Sequence, residues 1–306
     1  MLRGGLLNAV RGFAMGAADL VPGVSGGTVA LVLGIYERLI ASVRAGSSAL
    51  GTLLRADVSG FKAWMGRVDW LLVIPLAAGI LLAVLSLARF LQGLLHDEPE
   101  LMAAIFLGLV AGSVVVAWRL IHAPRVSHAL IVLVLGMVTF LAMGIHGGTS
   151  EDSVTQVADP PMWAYFGAGA IAICAMILPG ISGSFLLVLM GMYAPLLSAV
   201  TSANVVVLVV FTAGAALGLA LFSQLLHRAL RDHHDVVLAA LIGLMAGSVR
   251  VLWPWPGGVD STELGAPEGE VLVAVVAAAL AFVAVVIVAG AAQRLETREV
   301  RGADPA

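Results

Sequence analysis

Apolar stretches of about 20 residues recur along this chain and are separated by short polar segments. A helix needs about 20 apolar residues to cross the roughly 30 Å of hydrocarbon in a bilayer. The pattern predicts a polytopic all-α membrane protein with these six transmembrane helices: 70–95, 101–121, 128–145, 204–226, 236–254 and 271–292.

Two further apolar regions, 11–43 and 162–200, are each interrupted in the middle by a helix-breaking motif. The first contains LVPGVSGGT, beginning at Leu20, and the second contains ILPGISGSF, beginning at Ile177. Proline cannot continue a helix, and glycine permits tight turns. Since each half is too short to span a bilayer, both regions are predicted to be re-entrant helical hairpins.

Composition and charge support a membrane protein and predict its orientation. Apolar residues make up 60% and charged residues 11% of the 306 positions, whereas soluble proteins carry about 25% charged residues. Segments 95–101, 145–162 and 254–271 lack Lys and Arg and hold ten of the nineteen acidic residues. The positive-inside rule places the basic segments and both termini in the cytoplasm, with the chain in the cytoplasmic membrane. This alternation works only if each interrupted region enters and leaves on the same side.

The two motifs belong to a longer internal repeat. Their residues match at an offset of 157 positions, and FLGLVAGSVVVAW from Phe106 matches LIGLMAGSVRVLW from Leu241 at an offset of 135. A basic loop, 45–69, accounts for the difference between the offsets. We therefore predict two repeats in one membrane domain, 1–148 and 149–306. Each is a hairpin followed by three spans, and the odd number of crossings inverts the second repeat.

The repeated motifs have the composition of an anion site. After each break a new helix begins, and a helix N-terminus with free amides and hydroxyl groups attracts anions. Two such ends facing each other would suit a phosphate group. The alternative is that the glycines only allow helices to pack closely. The candidate substrate-binding residues are Pro22, Gly23, Ser25, Gly26, Gly27, Thr28, Pro179, Gly180, Ser182, Gly183 and Ser184.

Five charged residues fall within the predicted membrane region: Asp19, Glu37, Arg38, Arg89 and Arg250. Charges at such depth are costly and commonly functional. Arg89 and Arg250 are candidates for phosphate capture, or they extend to the lipid headgroups. Asp19 is either a proton-coupled carboxylate or a local partner of Arg11. Asp19, Glu37 and Arg38 are thus the candidates for coupling or gating, with Arg38 alternatively reaching lipid phosphates.

Other kinds of chemistry find no support in the sequence. The seven histidines fall at span ends or connectors without metal-ligand spacing, and the single cysteine excludes a thiolate cluster. We expect no metal, no cofactor, no nucleic-acid partner and no catalytic residues. A phosphate site in a membrane protein is also compatible with a transporter for a phosphorylated or small anionic solute and with a membrane enzyme that processes lipid phosphates. The sequence makes no prediction about oligomeric state.

The stretches GAADLVPGVSGGTVALVLGIYERLI and LPGISGSFLLVLMGMY resemble the PopT family of polyprenyl-phosphate translocases, and the resemblance covers essentially the whole chain. It implies a flippase that returns undecaprenyl or decaprenyl phosphate from the outer to the inner leaflet, so that the carrier lipid is recycled in cell-envelope synthesis. The family's first motif falls on Asp19, Pro22, Gly23, Ser25, Gly26, Gly27 and Thr28, and its Tyr-Glu pair on Tyr36 and Glu37. The second motif falls on Pro179, Gly180, Ser182, Gly183 and Ser184.

Overall fold

The computed structural model describes residues 2–20, 25–144, 156–258, 261 and 263–302. Helices account for most of this part of the chain, and no strand occurs among the described residues, as predicted. In chain order they are α1 (Leu2–Asp19), α2 (Gly26–Val32), α3 (Tyr36–Leu54), α4 (Val58–Met65), α5 (Trp70–Asp97), α6 (Pro99–Trp118), α7 (Val126–Met143), α8 (Met162–Ile177), α9 (Gly183–Leu189), α10 (Tyr193–Thr201), α11 (Val205–Ser248, continued by a 3₁₀ turn, Val249–Leu252) and α12 (Val271–Gly302).

Five helices in the described ranges are long and apolar enough to cross a membrane: α5, α6, α7, α11 and α12. Four of them match predicted spans to within a few residues at their starts. The fifth, α11 with its 3₁₀ turn, covers nearly all of both spans predicted at 204–226 and 236–254. It is interrupted at His233, which has the non-helical backbone angles φ −141° and ψ 48°. A straight helix of this length would extend about 66 Å, twice the hydrocarbon thickness. We therefore treat α11 as a first limb, 205–232, and a second limb, 234–248.

The two interrupted regions contain three helices each, not two. In both, the segment after the break bends again at a glycine with positive φ, Gly34 (72°) and Gly191 (65°). Both bends close with the same backbone hydrogen bonds, such as Ile35 N to Ala30 O and Met192 N to Leu187 O. This is the usual way for a glycine to end a helix. The prediction of one continuous helix after each break is therefore wrong. In the second region, the angle of the bend between α9 and α10 is 111°.

The segment predicted as a basic loop, 45–69, is also mostly helical. Helix α3 continues to Leu54, and the short helix α4 follows. Asp57 caps α4, because its Oδ1 accepts a hydrogen bond of 2.8 Å from the Gly60 amide. The hydropathy pattern did not reveal α4, because this helix buries no residue and so has no apolar face that the sequence would show.

Glycines set the close approach of α1 to α5. A methyl group on Gly12 would collide with the carbonyl oxygen of Leu76, and one on Gly79 would collide with that of Ala9. Small residues that let two backbones touch are the usual means of helix association in membranes.

The same contact recurs between α8 and the first limb of α11. There Gly169 faces the carbonyl oxygen of Phe211, and Gly214 faces that of Phe166. The two positions on α8 lie 157 residues after those on α1, and the two positions on α11 lie 135 residues after those on α5.

A second repeated contact joins α6 to α12 and the second limb of α11 to α7. Gly108 of α6 packs on the Ala278 carbonyl of α12. At the matching position of α11, 135 residues later, Gly243 lies near the Val132 carbonyl of α7. Between these pairs, buried side chains of α2, α3, α5 and α11 form the largest hydrophobic cluster, which includes Ile35.

Candidate functional site

The first break lies between α1 and α2, and its described residues are held by side-chain caps. The Gly26 amide donates to Asp19 Oδ1 at 2.6 Å, and the Gly27 amide donates to Ser25 Oγ at 3.1 Å. Two of the predicted binding residues, Pro22 and Gly23, lie outside the described residues. The described part of the break therefore consists of a carboxylate and a hydroxyl group that hold the first turn of α2.

The second break, 178–182, lies between α8 and α9. Gly180 has φ +84°, a conformation that favours glycine. Ser182 caps α9 by accepting from the Phe185 amide at 3.5 Å, and its hydroxyl lies 2.8 Å from that of Ser184. This break thus presents two hydroxyl groups and a tight turn that follows Pro179.

The two breaks are in direct contact. The Gly180 amide donates to Thr28 Oγ1 at 3.1 Å, and the Tyr36 hydroxyl donates to the Ile177 carbonyl at 3.0 Å. The Ser25 hydroxyl lies 3.4 Å from the Met176 carbonyl. Side chains on one side of the interface therefore satisfy backbone groups on the other, which gives the two breaks a fixed relative position.

A cavity of about 370 Å³ opens where the breaks meet. Its polar lining comes from Asp19, Ser25, Ser182 and Ser184, and the remaining wall is mostly apolar, from α8, α9, α10 and α11. Ser25 is buried, whereas Asp19 and Ser184 are exposed. A small polar group could thus meet three hydroxyls and one carboxyl group inside an apolar enclosure.

The amides at these helix ends are less available than the sequence indicated. Side chains already accept from the amides of Gly26, Gly27 and Phe185. The Thr28 hydroxyl likewise accepts from the second break. The polar side chains that line the cavity and could contact a ligand are the hydroxyls of Ser25, Ser182 and Ser184 and the carboxyl group of Asp19.

The predicted arginines do not line this cavity. Arg89 is exposed on α5. The guanidinium of Arg250 lies beside Gly144 and 5.1 Å from the centre of the Phe140 ring. Any role of these two arginines in phosphate capture would therefore be exerted away from the contact of the breaks.

The predicted gating residues point elsewhere as well. Glu37 Oε1 lies 2.9 Å from His234 Nε2, and Arg38 forms an ion pair of 2.6 Å with Asp69. Arg11 donates to Asn8 at 3.0 Å, while Asp19 caps α2. Of the charged candidates, Asp19 is the one that lines the cavity.

A second cavity, of about 480 Å³, lies along the other side of α2. It is walled by α1, α5, α6 and α12, almost entirely with Ala, Val, Leu and Phe side chains, and Thr28 and Ser113 are its polar residues. The sequence did not reveal it, because its wall is built from five separate segments. The cross-contacts made by Tyr36 and Thr28 were also missed, although Tyr36 and Tyr193 match in the repeat.

Comparison with known proteins gives a consistent family assignment. Residues 15–266 match the family described as undecaprenyl phosphate translocase-like. The chain is 40% identical over 246 residues to the polyprenyl-phosphate transporter of Vibrio cholerae serotype O1, covering 80% of this chain and 77% of the relative. It is 30% identical over 258 residues to the polyprenyl-phosphate transporter of Staphylococcus aureus, covering 81% and 86%. No solved structure matches the chain. The extent of these matches shows that this chain belongs to the undecaprenyl phosphate translocase-like family.

Proposed function

We propose that this protein carries polyprenyl phosphate from the outer to the inner leaflet of the cytoplasmic membrane, which returns the carrier lipid for cell-envelope synthesis. The observation that carries the proposal is the cavity between the two breaks, which combines a small polar lining with an apolar wall. The names of the relatives support this substrate. A transporter needs no catalytic group, and none is assigned.

The phosphate group is proposed to bind in this cavity, to the hydroxyls of Ser25, Ser182 and Ser184. Hydrogen bonds to a charged group contribute about 1.5–3 kcal/mol each, more than those between neutral groups. The glycines and prolines of both motifs would then act through the backbone, by shaping the breaks that hold these hydroxyls. Pro22 and Gly23 remain candidates for substrate binding from their positions in the motif.

Asp19 places an ionisable carboxyl group in the cavity proposed for the phosphate, which suggests that transport is coupled to protons. A phosphate and an ionised carboxylate repel each other in a shared cavity of low dielectric. We expect the lipid headgroup to bind together with a proton, which Asp19 would carry. Asp19→Asn should then preserve the cap on Gly26 but remove the dependence of transport on a proton gradient.

The prenyl chain is proposed to occupy the apolar cavity beside α2. A phosphate at Ser25 and a chain beginning near Thr28 would contact one short helix from two sides. Each buried CH₂ contributes about 0.8 kcal/mol, so a wall of Ala, Val, Leu and Phe side chains suits a branched hydrocarbon.

We further propose that the two halves, 1–148 and 149–306, are inverted repeats that alternate access around the breaks. The repeated glycine contacts at offsets of 157 and 135 residues support the repeat. The kink at His233 supports treating α11 as two spans, which leaves three spans in each half. The distribution of basic residues supports cytoplasmic termini. Arg89 and Arg250 would capture the headgroup away from the breaks. Glu37 and Arg38 would act in gating, by stabilising one of the two access states of the transporter.

The test is a reconstituted assay of surface-accessible polyprenyl phosphate in proteoliposomes, with and without a proton gradient. Ser25→Ala combined with Ser182→Ala should lower the initial rate at least about tenfold, since each lost hydrogen bond to a charged group is worth about 1.5–3 kcal/mol. Ser86→Ala combined with Ser198→Ala, two exposed serines, should leave the rate unchanged. A wild-type protein that moves no lipid beyond empty liposomes would refute the proposed function. Transport by the Ser25/Ser182 variant at the wild-type rate would refute the proposed site.

A further inference from the structure

A cluster of two histidines and one aspartate lies at one end of the bundle, apart from the cavity between the breaks. His122 comes from the connector between α6 and α7, and His234 and Asp235 begin the second limb of α11. Their Nδ1, Nδ1 and Oδ1 atoms are mutually close. The two nitrogens are 3.1 Å apart, and Asp235 Oδ1 lies 3.3 Å from His122 and 3.0 Å from His234.

These separations match those of ligands around one metal ion. Tetrahedral coordination with bonds of about 2.0–2.1 Å places ligand atoms about 3.3 Å apart. Two imidazole nitrogens and one carboxylate oxygen favour Zn²⁺ and similar transition metals over Mg²⁺ or Ca²⁺, which prefer oxygen ligands. His122 is 77% exposed, which leaves space for a water molecule as a further ligand.

The surrounding hydrogen bonds orient the ligands. Glu37 Oε1 lies 2.9 Å from His234 Nε2, and because an ionised carboxylate only accepts, this nitrogen carries the proton. In neutral His234 the lone pair is then on Nδ1, directed at the cluster. A carboxylate that fixes the tautomer of a ligating histidine is the common outer-shell arrangement.

Asp235 is held in place in a similar way. Its carboxylate accepts from the His122 amide at 3.1 Å and from the Ala123 amide at 3.0 Å. Its Oδ1 nevertheless faces the lone pair of His234 Nδ1 at 3.0 Å. Two acceptors at this distance require a cation between them, which is either a proton or a metal ion. The nearby Arg231 is paired with Asp232 at 2.8 Å, so its charge is compensated.

We propose that His122, His234 and Asp235 bind a divalent transition-metal ion of the Zn²⁺ class, with Glu37 orienting His234. The ion would join the α6–α7 connector to the bend of α11. It would also fix the first turn of α3, where the neighbouring Tyr36 holds the second break through the Ile177 carbonyl. Sequence spacing could not reveal this site, because its ligands lie 112 and 113 residues apart.

The test uses the full chain, purified in detergent through a tag without histidine and stripped of metal with a chelator. Zn²⁺ binding is measured by calorimetry, and Co²⁺ binding by its visible absorption bands. His122→Ala should weaken Zn²⁺ binding by roughly a hundredfold, and Glu37→Gln by about tenfold. His233→Ala removes a neighbouring histidine outside the cluster and should leave the affinity unchanged.

Thermal unfolding gives a second measurement. Zn²⁺ should raise the Tm of the wild type and of His233→Ala, but not that of His122→Ala, because an ion that binds only the folded state stabilises it. Equal Zn²⁺ affinities for wild type and His122→Ala would overturn the proposal. So would a wild type that binds no Zn²⁺, which would assign the cation between the ligands to a proton. Neither outcome bears on lipid transport.

Discussion

Asp19 and Met176 occupy the same position in the two halves of the chain, 157 residues apart, and each lies just before a break. Asp19 accepts from the Gly26 amide. The side chain of Met176 lies over Gly183, the counterpart of Gly26, where an added methyl group would come within 2.6 Å of Cγ. The two breaks therefore enclose their glycines in the same way, but only the first does so with an ionisable group.

The same division of roles recurs two residues further on, at Thr28 and Phe185. Thr28 accepts from the Gly180 amide, whereas its counterpart Phe185 is buried with Met143 and Val251. The backbone geometry is repeated, while the polar side chains that connect the breaks come from the first half. The repeat therefore determines the backbone geometry of both breaks. The differences between its two copies determine which break carries an ionisable side chain and which side chains connect the breaks.

The largest effect should come from Gly180, which the second break needs as glycine. In Gly180→Ala, the alanine would have to adopt φ +84°, and its methyl group would lie 2.6 Å from Met245 Cα. Strain and overpacking together should cost about 3 kcal/mol or more of unfolding free energy. Thermal and denaturant unfolding in detergent would measure the loss. Gly269→Ala, at φ +66° with open space around it, is the control. Equal losses at both positions would show that the contact with Met245 is unimportant.

The next effect tests how far the two halves are equivalent. Gly79→Ala and Gly214→Ala both push a methyl group into a carbonyl oxygen of the facing helix. Each should lower the free energy of unfolding by about 2 kcal/mol, by similar amounts. Gly93→Ala and Gly167→Ala add a methyl group in open space and serve as controls. A loss at Gly79 without one at Gly214 would contradict the equivalence of the two helix pairs.

The spans and both breaks could be predicted from the sequence, because hydropathy and the Pro-Gly motif reflect physical requirements of the bilayer. The bends at Gly34 and Gly191 could not. A glycine with positive φ looks the same in the sequence as a glycine that packs against a helix. The sequence also did not show that the two limbs of α11 follow each other with a break at a single residue, His233. Polar residues between two spans do not show whether the backbone there stays helical.

The candidate site was predicted in composition but not in its internal contacts. Repetition of the motif identified Ser25 and Ser182, and the structure places both on one cavity. That the hydroxyl of Thr28 accepts from the other break depends on tertiary contact across 152 residues. The apolar cavity beside α2 depends in the same way on which helices become neighbours, which a single sequence does not record.

A smaller effect tests the attachment that Thr28 provides. Thr28→Val keeps the shape of the side chain but leaves the buried Gly180 amide without its acceptor, which should cost about 1–2 kcal/mol. Unfolding in detergent measures this loss, and the transport assay measures its consequence for the second break. Thr201→Val, at an exposed threonine bonded within its own helix, should change neither. Unchanged stability in Thr28→Val would mean that this hydrogen bond does not hold the breaks together.

The smallest effect separates the two tyrosines of the repeat. Tyr36→Phe removes the hydroxyl that donates to the Ile177 carbonyl and should cost about 1 kcal/mol, the usual net value of such a bond. Tyr193, its counterpart, has no hydrogen bond from its hydroxyl among the described contacts, so Tyr193→Phe should be neutral. Both substitutions remove one oxygen atom and leave the ring, so any difference between them reports the contact alone. If both variants unfolded alike, the Tyr36 contact would add nothing measurable, and the attachment between the breaks would rest on Thr28 and on the contact of Ser25 with the Met176 carbonyl.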